Sequence, residues 1–221
     1  MLIKFAGQTF ELHPDGTLYW PDKKLLIISD LHFEKGSSLA LHGIFLPPYD
    51  TSETLNKLQE ACDRIQPETL LFLGDVFHDK SSLLRITQED RDKLQAILDR
   101  YEIIWIEGNH DEGHAPDNID IHTQYKIDDI NFIHIADKSY KGFEISGHYH
   151  PSVKFVHKEH KIRRPCFVTN ATKMIVPSFG VLTGGLYITD PVYRPILGSQ
   201  FNTYILGTKD VLKLHRSKIR R

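Results

Sequence analysis

The sequence predicts an α/β protein in which two packed, mixed β-sheets are flanked by helices. Three observations carry this. Short unbroken apolar runs recur at Leu25-Leu26-Ile27-Ile28, Leu70-Leu71-Phe72-Leu73 and Ile103-Ile104-Trp105-Ile106, as expected of strands covered on both faces. Segments of helical periodicity lie between the runs, which is the β-α-β-α order of a mainly parallel sheet. After Ile130 the pattern changes to short strand-like segments joined by Gly, Pro and charged turns, which predicts a second sheet packed on the first.

Taken in order, residues 1–20 read as a β-hairpin with Pro14-Asp15-Gly16 at its turn. The first buried strand is Leu25–Ile28. Asp50 and Glu53 make a capping-box-like helix start. Leu55, Leu58, Cys62 and Ile65 then recur at helical spacing, and Pro67 stops the pattern. Leu70–Leu73 is the second strand. Thr87 and Asp90 open another helix, with Leu94, Ile97 and Leu98 as its apolar face, and Ile103–Ile106 follows as the third strand. In the second half, 131–135, 143–146, 153–157, 166–169, 174–176 and 186–189 read as short strands. No linker, repeat or low-complexity tract divides the chain, so residues 1–221 read as one domain.

Composition narrows the class. The chain is 40% hydrophobic and 25% charged, as in ordinary soluble proteins. Its net charge of -2 advertises no overall basic field for nucleic acid, so local patches must be weighed separately. Cys62 and Cys166 are the only cysteines and form no CxxC pair, which argues against a disulfide scaffold or a thiolate metal site and fits a reducing cytosol. The first residues, MLIKFAGQTF, read as no secretory signal, and no apolar stretch is long enough to span a membrane. The expectation is a cytoplasmic protein.

Polar residues follow directly on the apolar runs. Ser29-Asp30-Leu31-His32 follows Ile28, Gly74-Asp75-Val76-Phe77-His78 follows Leu73, and Glu107-Gly108-Asn109-His110-Asp111 follows Ile106. Later come His134, within Asn131–Ile135, and Gly147-His148-Tyr149-His150. Ligands of open α/β sheets bind beyond the carboxyl ends of strands, so these pieces can converge. Asp30 and His32 are two apart, as are His148 and His150, and in extended chain such residues share a face. Carboxylate, imidazole and amide oxygen form a mixed ligand set suited to Mn²⁺, Fe or Zn²⁺. Glycines before Asp75, Asn109 and His148 permit sharp turns and close approach. Each piece alone has a plainer reading: a turn, a cap, a core histidine or a surface histidine. The ordered set of five pieces outweighs those readings. His13, His42, His114, His122, His157, His160 and His215 read as surface or loop residues, and His78 is ambiguous.

In that order, Asp30-x-His32, Gly74-Asp75, Gly108-Asn109-His110-Asp111, His134 and Gly147-His148-x-His150 resemble the signature of the calcineurin-like metallophosphoesterases. The resemblance implies that family's four-layer sandwich and two divalent metal ions. Asp30, His32 and His150 would hold one ion, Asn109, His134 and His148 the other, and Asp75 would bridge both. His110 would sit by the substrate phosphate. Asp111 would either orient His110 or cap the next turn. Ile135 departs from the glycine or histidine that often follows the ligand at His134. Two ions about 4 Å apart can share a hydroxide of near-neutral pKa that attacks phosphorus.

Further segments resemble the ligase-associated DNA-damage-response endonuclease branch of that family. They are Phe33-Glu34-Lys35-Gly36, Gly43–Pro47, Arg164–Phe167, Val176–Gly180 and Thr183-Gly184-Gly185. This implies manganese, DNA phosphodiesters as substrate, and work in DNA repair alongside a DNA helicase and a DNA ligase. Lys154, Lys158, Lys161, Arg163 and Arg164 form one basic stretch, and Lys213, Arg216, Lys218, Arg220 and Arg221 another. The tail reads equally well as a solvated face. Lys35, Arg163 and Arg164 are the candidate substrate contacts. With no base-reading motif, the expected DNA is single-stranded or flexible, bound through its backbone. A homodimer is compatible with these features. Two other readings compete: a phosphodiesterase of nucleotides or other small esters, and a non-catalytic scaffold on the same fold. The scaffold reading predicts lost ligands, and here every ligand position is filled.

Overall fold

The computed structural model describes every residue except 118, 158, 216, 218, 220 and 221, and His157 in its backbone alone. The chain opens with β1 (Leu2–Phe5), β2 (Gln8–Leu12) and β3 (Leu18–Trp20), an antiparallel meander. The hairpin expected over residues 1–20 is therefore three strands. Ala6 and Gly7 have φ of 51° and 77° and close β1 on β2, the positive-φ pair of a two-residue hairpin turn. Alanine in place of the usual Asn or Gly hides that turn in the sequence.

The first sheet continues through β4 (Leu25–Ile28), β5 (Thr69–Leu73), β6 (Glu102–Ile106) and β7 (Ile121–His122). These four strands are parallel to one another, and the apolar runs predict the first three. Alternation along these strands separates two cores. Leu25, Ile27, Leu71, Leu73, Ile104 and Ile106 face the second sheet. Leu26, Ile28, Leu70, Phe72 and Trp105 face the helices. Those helices are α1 (Lys35–Leu41), α2 (Asp50–Ile65), α3 (Ser82–Arg85) and α4 (Gln88–Arg100). Leu55, Leu58 and Cys62 of α2 and Leu94, Ile97 and Leu98 of α4 bury the predicted stripes there, each large side chain contributing about 1.5–3 kcal/mol. Thr87 caps α4 by accepting the Asp90 N–H at 3.1 Å. The capping box at Asp50 does not form. Asp50 lies inside α2, and its carboxylate accepts the Gly36 N–H at 2.9 Å, which ties α1 to α2.

The second sheet contains β8 (Gln124–Ile127), β9 (Ile130–Ile133), β10 (Phe143–Ser146), β11 (Ser152–His157), β12 (His160–Thr169) and β13 (Lys173–Ile175). After the short α5 (Arg194–Leu197) it is completed by β14 (Asn202–Leu206) and β15 (Val211–Leu214). The order is β15-β14-β12-β13-β10-β9-β8, with β11 paired to β12. Only β9, β10 and β13 run parallel. Residues 186–189 are not a strand. Tyr187 alone forms a parallel bridge to Ser152, through the Ser152 N–H on the Leu186 carbonyl and the Ile188 N–H on the Ser152 carbonyl, both at 2.9 Å. The strands β8, β14 and β15 were not singled out in the sequence. Phe132, Ile145, Phe167 and Met174 meet the first sheet, while Cys166, Val168, Ile175 and Ile205 pack under Tyr193, Ile196 and Leu197. Among the described residues no helix is long and apolar enough to cross a membrane.

Candidate metal centre

The parallel strands β4, β5, β6, β9 and β10 all end at one edge of the sandwich, and their next residues meet there. Five of the seven candidate ligands have positive φ: Asp30 (56°), His32 (50°), Asp75 (50°), His148 (66°) and His150 (44°). Such a backbone is uncommon for residues with a β-carbon and costs on the order of 1–3 kcal/mol at each position. The pairs Asp30/His32 and His148/His150 thus share a face by tight coiling, and not by the extended geometry that their spacing suggests. Between them, Leu31 turns into the core beneath the helices, and Tyr149 turns into the outer core of the second sheet. Each loop is therefore anchored by the side chain between its two ligands.

Close approach explains the three glycines. A β-carbon on Gly74 would strike the His134 ring, one on Gly108 would strike Asp75, and one on Gly147 would strike the Ser29 hydroxyl. The segment 179–186 braces both loops from behind. Phe179 and Gly180 donate N–H bonds to the carbonyls of Ser29 (2.8 Å) and Asp30 (3.1 Å), and Leu186 donates to that of Tyr149 (3.3 Å).

Two groups of side chains converge. In one, His150 Nε2 lies 3.0 Å from Asp30 Oδ1 and 3.4 Å from His32 Nε2. In the other, His134 Nε2 lies 3.2 Å from Asp75 Oδ2 and 3.3 Å from Asn109 Oδ1, and the His148 ring is 5.1 Å from that of His134. Asp75 Oδ2 is also 3.8 Å from His32 Nε2, so one carboxylate lies within reach of both groups. Ligand atoms of Asp30, His32 and His150, and of Asp75, His134 and His148, could each surround one ion.

Electrostatics point the same way. Burial opposes ionisation of Asp30, but His150, His134 and His32 hold its carboxyl well below the usual range. Asp75 is likewise lowered, with His134 outweighing burial. Burial pushes His32 down to about 3, despite both carboxylates. His134 is raised to about 9, because Asp75 and Asp30 outweigh its burial. Its Nδ1–H donates to the Leu73 carbonyl at 2.9 Å, so the raised proton sits on Nε2 facing Asp75 Oδ2, and a cation that displaces it meets a lone pair there. That lone pair, Asp75 Oδ2 and Asn109 Oδ1 are three acceptors crowded around one point. The donor set fits a divalent cation of borderline softness and lacks thiolate.

The other predicted residues are placed as follows. His110 donates its backbone N–H to Asp75 Oδ1 at 2.9 Å, and its Nδ1–H to the His78 carbonyl at 2.8 Å. Its half-exposed ring has Nε2 4.0 Å from Asp75 Oδ2. Asp111 makes no hydrogen bond to His110. Its buried carboxylate accepts the N–H groups of Gly108 (2.8 Å), Val76 (2.8 Å) and Phe77 (3.1 Å), which joins two site loops. Lys35 opens α1 near the site. Burial lowers its pKa, while the charges of Asp75 and Asp30 support the ammonium. Arg163 and Arg164 diverge. Arg163 donates to the Gly185 carbonyl at 2.6 Å and lies over the Tyr187 ring, whereas Arg164 is exposed in a neighbouring cavity. Of the basic stretches, Lys158, Arg216, Lys218, Arg220 and Arg221 lie outside the described residues.

His78 belongs to the cluster as well. Its Nδ1 is 3.3 Å from His32 Nδ1, and its ring stacks on His110 at 5.0 Å. Burial and the charge of Lys35 push it down to about 4. The sequence signal was its short distance from Asp75. What resolves the ambiguity is the pairing of the two loops, with His78 N–H on the Phe33 carbonyl at 2.9 Å.

Comparison with known proteins agrees with this geometry. A family model described as calcineurin-like phosphoesterase matches residues 23–185. The crystal structure of the Pseudomonas putida nuclease MPE is similar with a TM-score of 0.73 and 25% identity, over 97% of this chain and 99% of that one. The E. coli phosphoesterase Yfce is similar at a TM-score of 0.42 and 12% identity, over 86% of this chain and 97% of that one. No curated protein matches the chain. The span matched by the family model begins just before β4 and ends at Gly185, so it takes in every loop that meets at the carboxylate–histidine cluster, and on that ground the chain belongs to the calcineurin-like phosphoesterase family, as a metal-dependent hydrolase of phosphate esters.

Proposed function

We propose that this protein is a two-metal nuclease that hydrolyses DNA phosphodiesters. The observation that carries the two-metal part is Asp75 Oδ2, 3.2 Å from His134 Nε2 and 3.8 Å from His32 Nε2. On this reading Asp30, His32 and His150 hold one ion, Asn109, His134 and His148 hold the other, and Asp75 is shared. The oxygen and imidazole donors without sulfur suit Mn²⁺, Fe or Zn²⁺, and the resemblance to the endonuclease branch favours manganese among them. Two such ions would supply an activated water at neutral pH and offset charge on the phosphoryl oxygens.

The chain's own residues do the rest. Asp75 Oδ1 accepts the His110 N–H, which fixes the backbone of the acid next to the shared carboxylate. The His78 carbonyl holds the His110 Nδ1 proton, so it is Nε2 that faces substrate. An N–H at Nε2 there would donate to a phosphoryl oxygen or to the leaving alkoxide. Lys35 adds positive charge at the same mouth.

The nuclease reading is supported by the likeness to the Pseudomonas putida nuclease, which extends beyond the family-matched span to 97% of the chain. A role in cytoplasmic DNA repair beside a helicase and a ligase is the biological setting of this reading. The deciding substrate is circular single-stranded DNA, which has no ends. Mn²⁺-dependent conversion of circles to linear strands is expected. Intact circles beside rapid hydrolysis of nucleotides or nitrophenyl diesters would replace this reading with the small-ester one.

A further inference from the structure

Two cavities flank the metal-site edge, and their charges are opposite. One, about 310 Å³, adjoins Asn109 and His134 and is walled by Glu107 and Glu112. The other, about 510 Å³, is lined by Lys57, Arg164, Ser178, Thr183 and Thr208, among others. Strand directions put the second cavity at the same edge as the metal loops. β3 is antiparallel to β4, with Leu18 opposite Ile27, so the turn before Leu18 lies at the carboxyl end of β4. β13 is parallel to β10, β12 antiparallel to β13, and β14 antiparallel to β12. The turn after Leu206 therefore lies at the carboxyl end of β10. Between these turns runs the Phe179-Gly180 segment, which is hydrogen-bonded to Ser29 and Asp30.

Lys57 gives this cavity its chemistry. Its stem projects from α2, and Nζ sits 3.9 Å from the Phe179 ring centroid, donating to the Phe179 carbonyl at 2.7 Å. Among the described residues it makes no ion pair. Asp15, the acid that lines the cavity, supports the Lys57 ammonium from a distance, but its carboxylate is engaged by Thr17, at 2.9 and 2.7 Å, and by Arg64. An ammonium has three donors, and the one carbonyl satisfies a single donor. Half-buried cations normally find a counter-ion. Burial lowers Lys57 to about 8, which leaves it charged at neutral pH. Arg164 brings a second, permanently charged donor fork to the same cavity.

We propose that this cavity is a phosphate subsite that holds a backbone phosphate of a polynucleotide strand beyond the one being cut. The inference rests on the nuclease reading and adds the path of the strand. On the opposite flank Glu107 is acidic and Glu112 is paired only with the exposed Lys80 at 3.9 Å, so phosphate is favoured on the Lys57 side, and the strand leaves the metal centre there.

The test is binding of a labelled oligothymidylate to metal-loaded protein across a salt series, with cleavage followed in parallel. Lys57→Met keeps the stem on Phe179 and removes the charge. Its affinity should fall about five- to tenfold at low salt, and its log–log salt slope should drop by about 0.7. Lys57→Arg should recover most of both. Thr208→Glu, on an exposed residue where substitutions usually change stability by no more than about 0.5 kcal/mol, should weaken binding in the same direction. If Lys57→Met and Thr208→Glu both bind like wild type while the oligonucleotide is still cut, the subsite is wrong and the nuclease reading stands. If wild-type protein neither binds nor cuts the oligonucleotide but hydrolyses a nitrophenyl diester, both are wrong.

Discussion

The Asp111 carboxylate accepts the Val76 main-chain N–H at 2.8 Å, across the gap between the loops that carry Asn109 and Asp75. The same carboxylate accepts Phe77 and Gly108 N–H groups, so three buried donors depend on it. Asp111→Ala should lower stability by about 3 kcal/mol, since each orphaned donor costs about 1–3 kcal/mol and some will find water. Denaturant unfolding of metal-free protein measures this. Metal affinity should fall with it, because Asp75 and Asn109 lose their common brace. An Asp111→Ala protein as stable as wild type, with normal metal content but poor turnover, would return Asp111 to the catalytic role considered from sequence.

Gly147→Ala should abolish metal binding while leaving most of the fold. The added methyl would strike the Ser29 hydroxyl and press on Asp30, and Asp30 accepts the His148 N–H at 3.1 Å. Both loops would have to part, by more than a metal site tolerates. Elemental analysis after loading and gel filtration reads the loss. Two ions retained per chain would show that the loops relax around the methyl.

Much of this centre was legible in the sequence, because Asp30, His32, Asp75 and Asn109 follow short apolar runs bounded by turn residues, and His134 and His148/His150 follow in the same order along the chain. The β-α-β-α half was legible for the same reason: Leu25–Ile28, Leu70–Leu73 and Ile103–Ile106 are covered on both faces. Other features were hidden for physical reasons. The β1–β2 turn uses Ala6 where a turn residue is expected. Strands such as Val211–Leu214 are short and half polar. Asp50 has the form of a helix cap, but Gly36 of another helix claims its carboxylate. Lys57 is one lysine on a helix face until Phe179, distant in sequence, is packed against it.

Asp75→Ala should disturb both ions, since the carboxylate lies between the two groups. Manganese per chain should fall from about two to well below one. Loss of a single ion, with the other bound normally, would mean that Asp75 serves one group only.

His110→Gln should keep both ions and lose turnover. The Asp75 bond is made by the His110 main chain, so the metal loop survives the change. A positioned acid contributes roughly 10²–10⁴-fold to rate. The loss should be greatest on DNA, whose leaving alkoxide needs a proton, and smallest on a nitrophenyl diester, whose leaving group does not. Equal losses on both would assign His110 to holding the phosphoryl oxygen instead.

Metal removal should also change how stability depends on pH. In metal-free protein, Asp75 and Asp30 hold His134 up at about 9 against its burial. A raised histidine contributes stability that is fully present below its unfolded value near 6.5 and is lost as pH rises through about 9. His32 behaves oppositely, because burial holds it down to about 3. Below pH 6.5 the unfolded chain takes up a proton that folded His32 refuses, so stability falls as the solution is made more acid. Metal-free protein should therefore be most stable near pH 6.5 and lose stability on either side. With manganese bound, the His134 lone pair is occupied and the alkaline loss should disappear. The loaded protein should also be more stable throughout, by about 2.7 kcal/mol for each bound ion at a free-ion concentration a hundred times that site's Kd. Denaturant midpoints from pH 5 to 9, with and without chelator, test both statements. The same alkaline loss in His134→Gln as in wild-type metal-free protein would assign it to other groups.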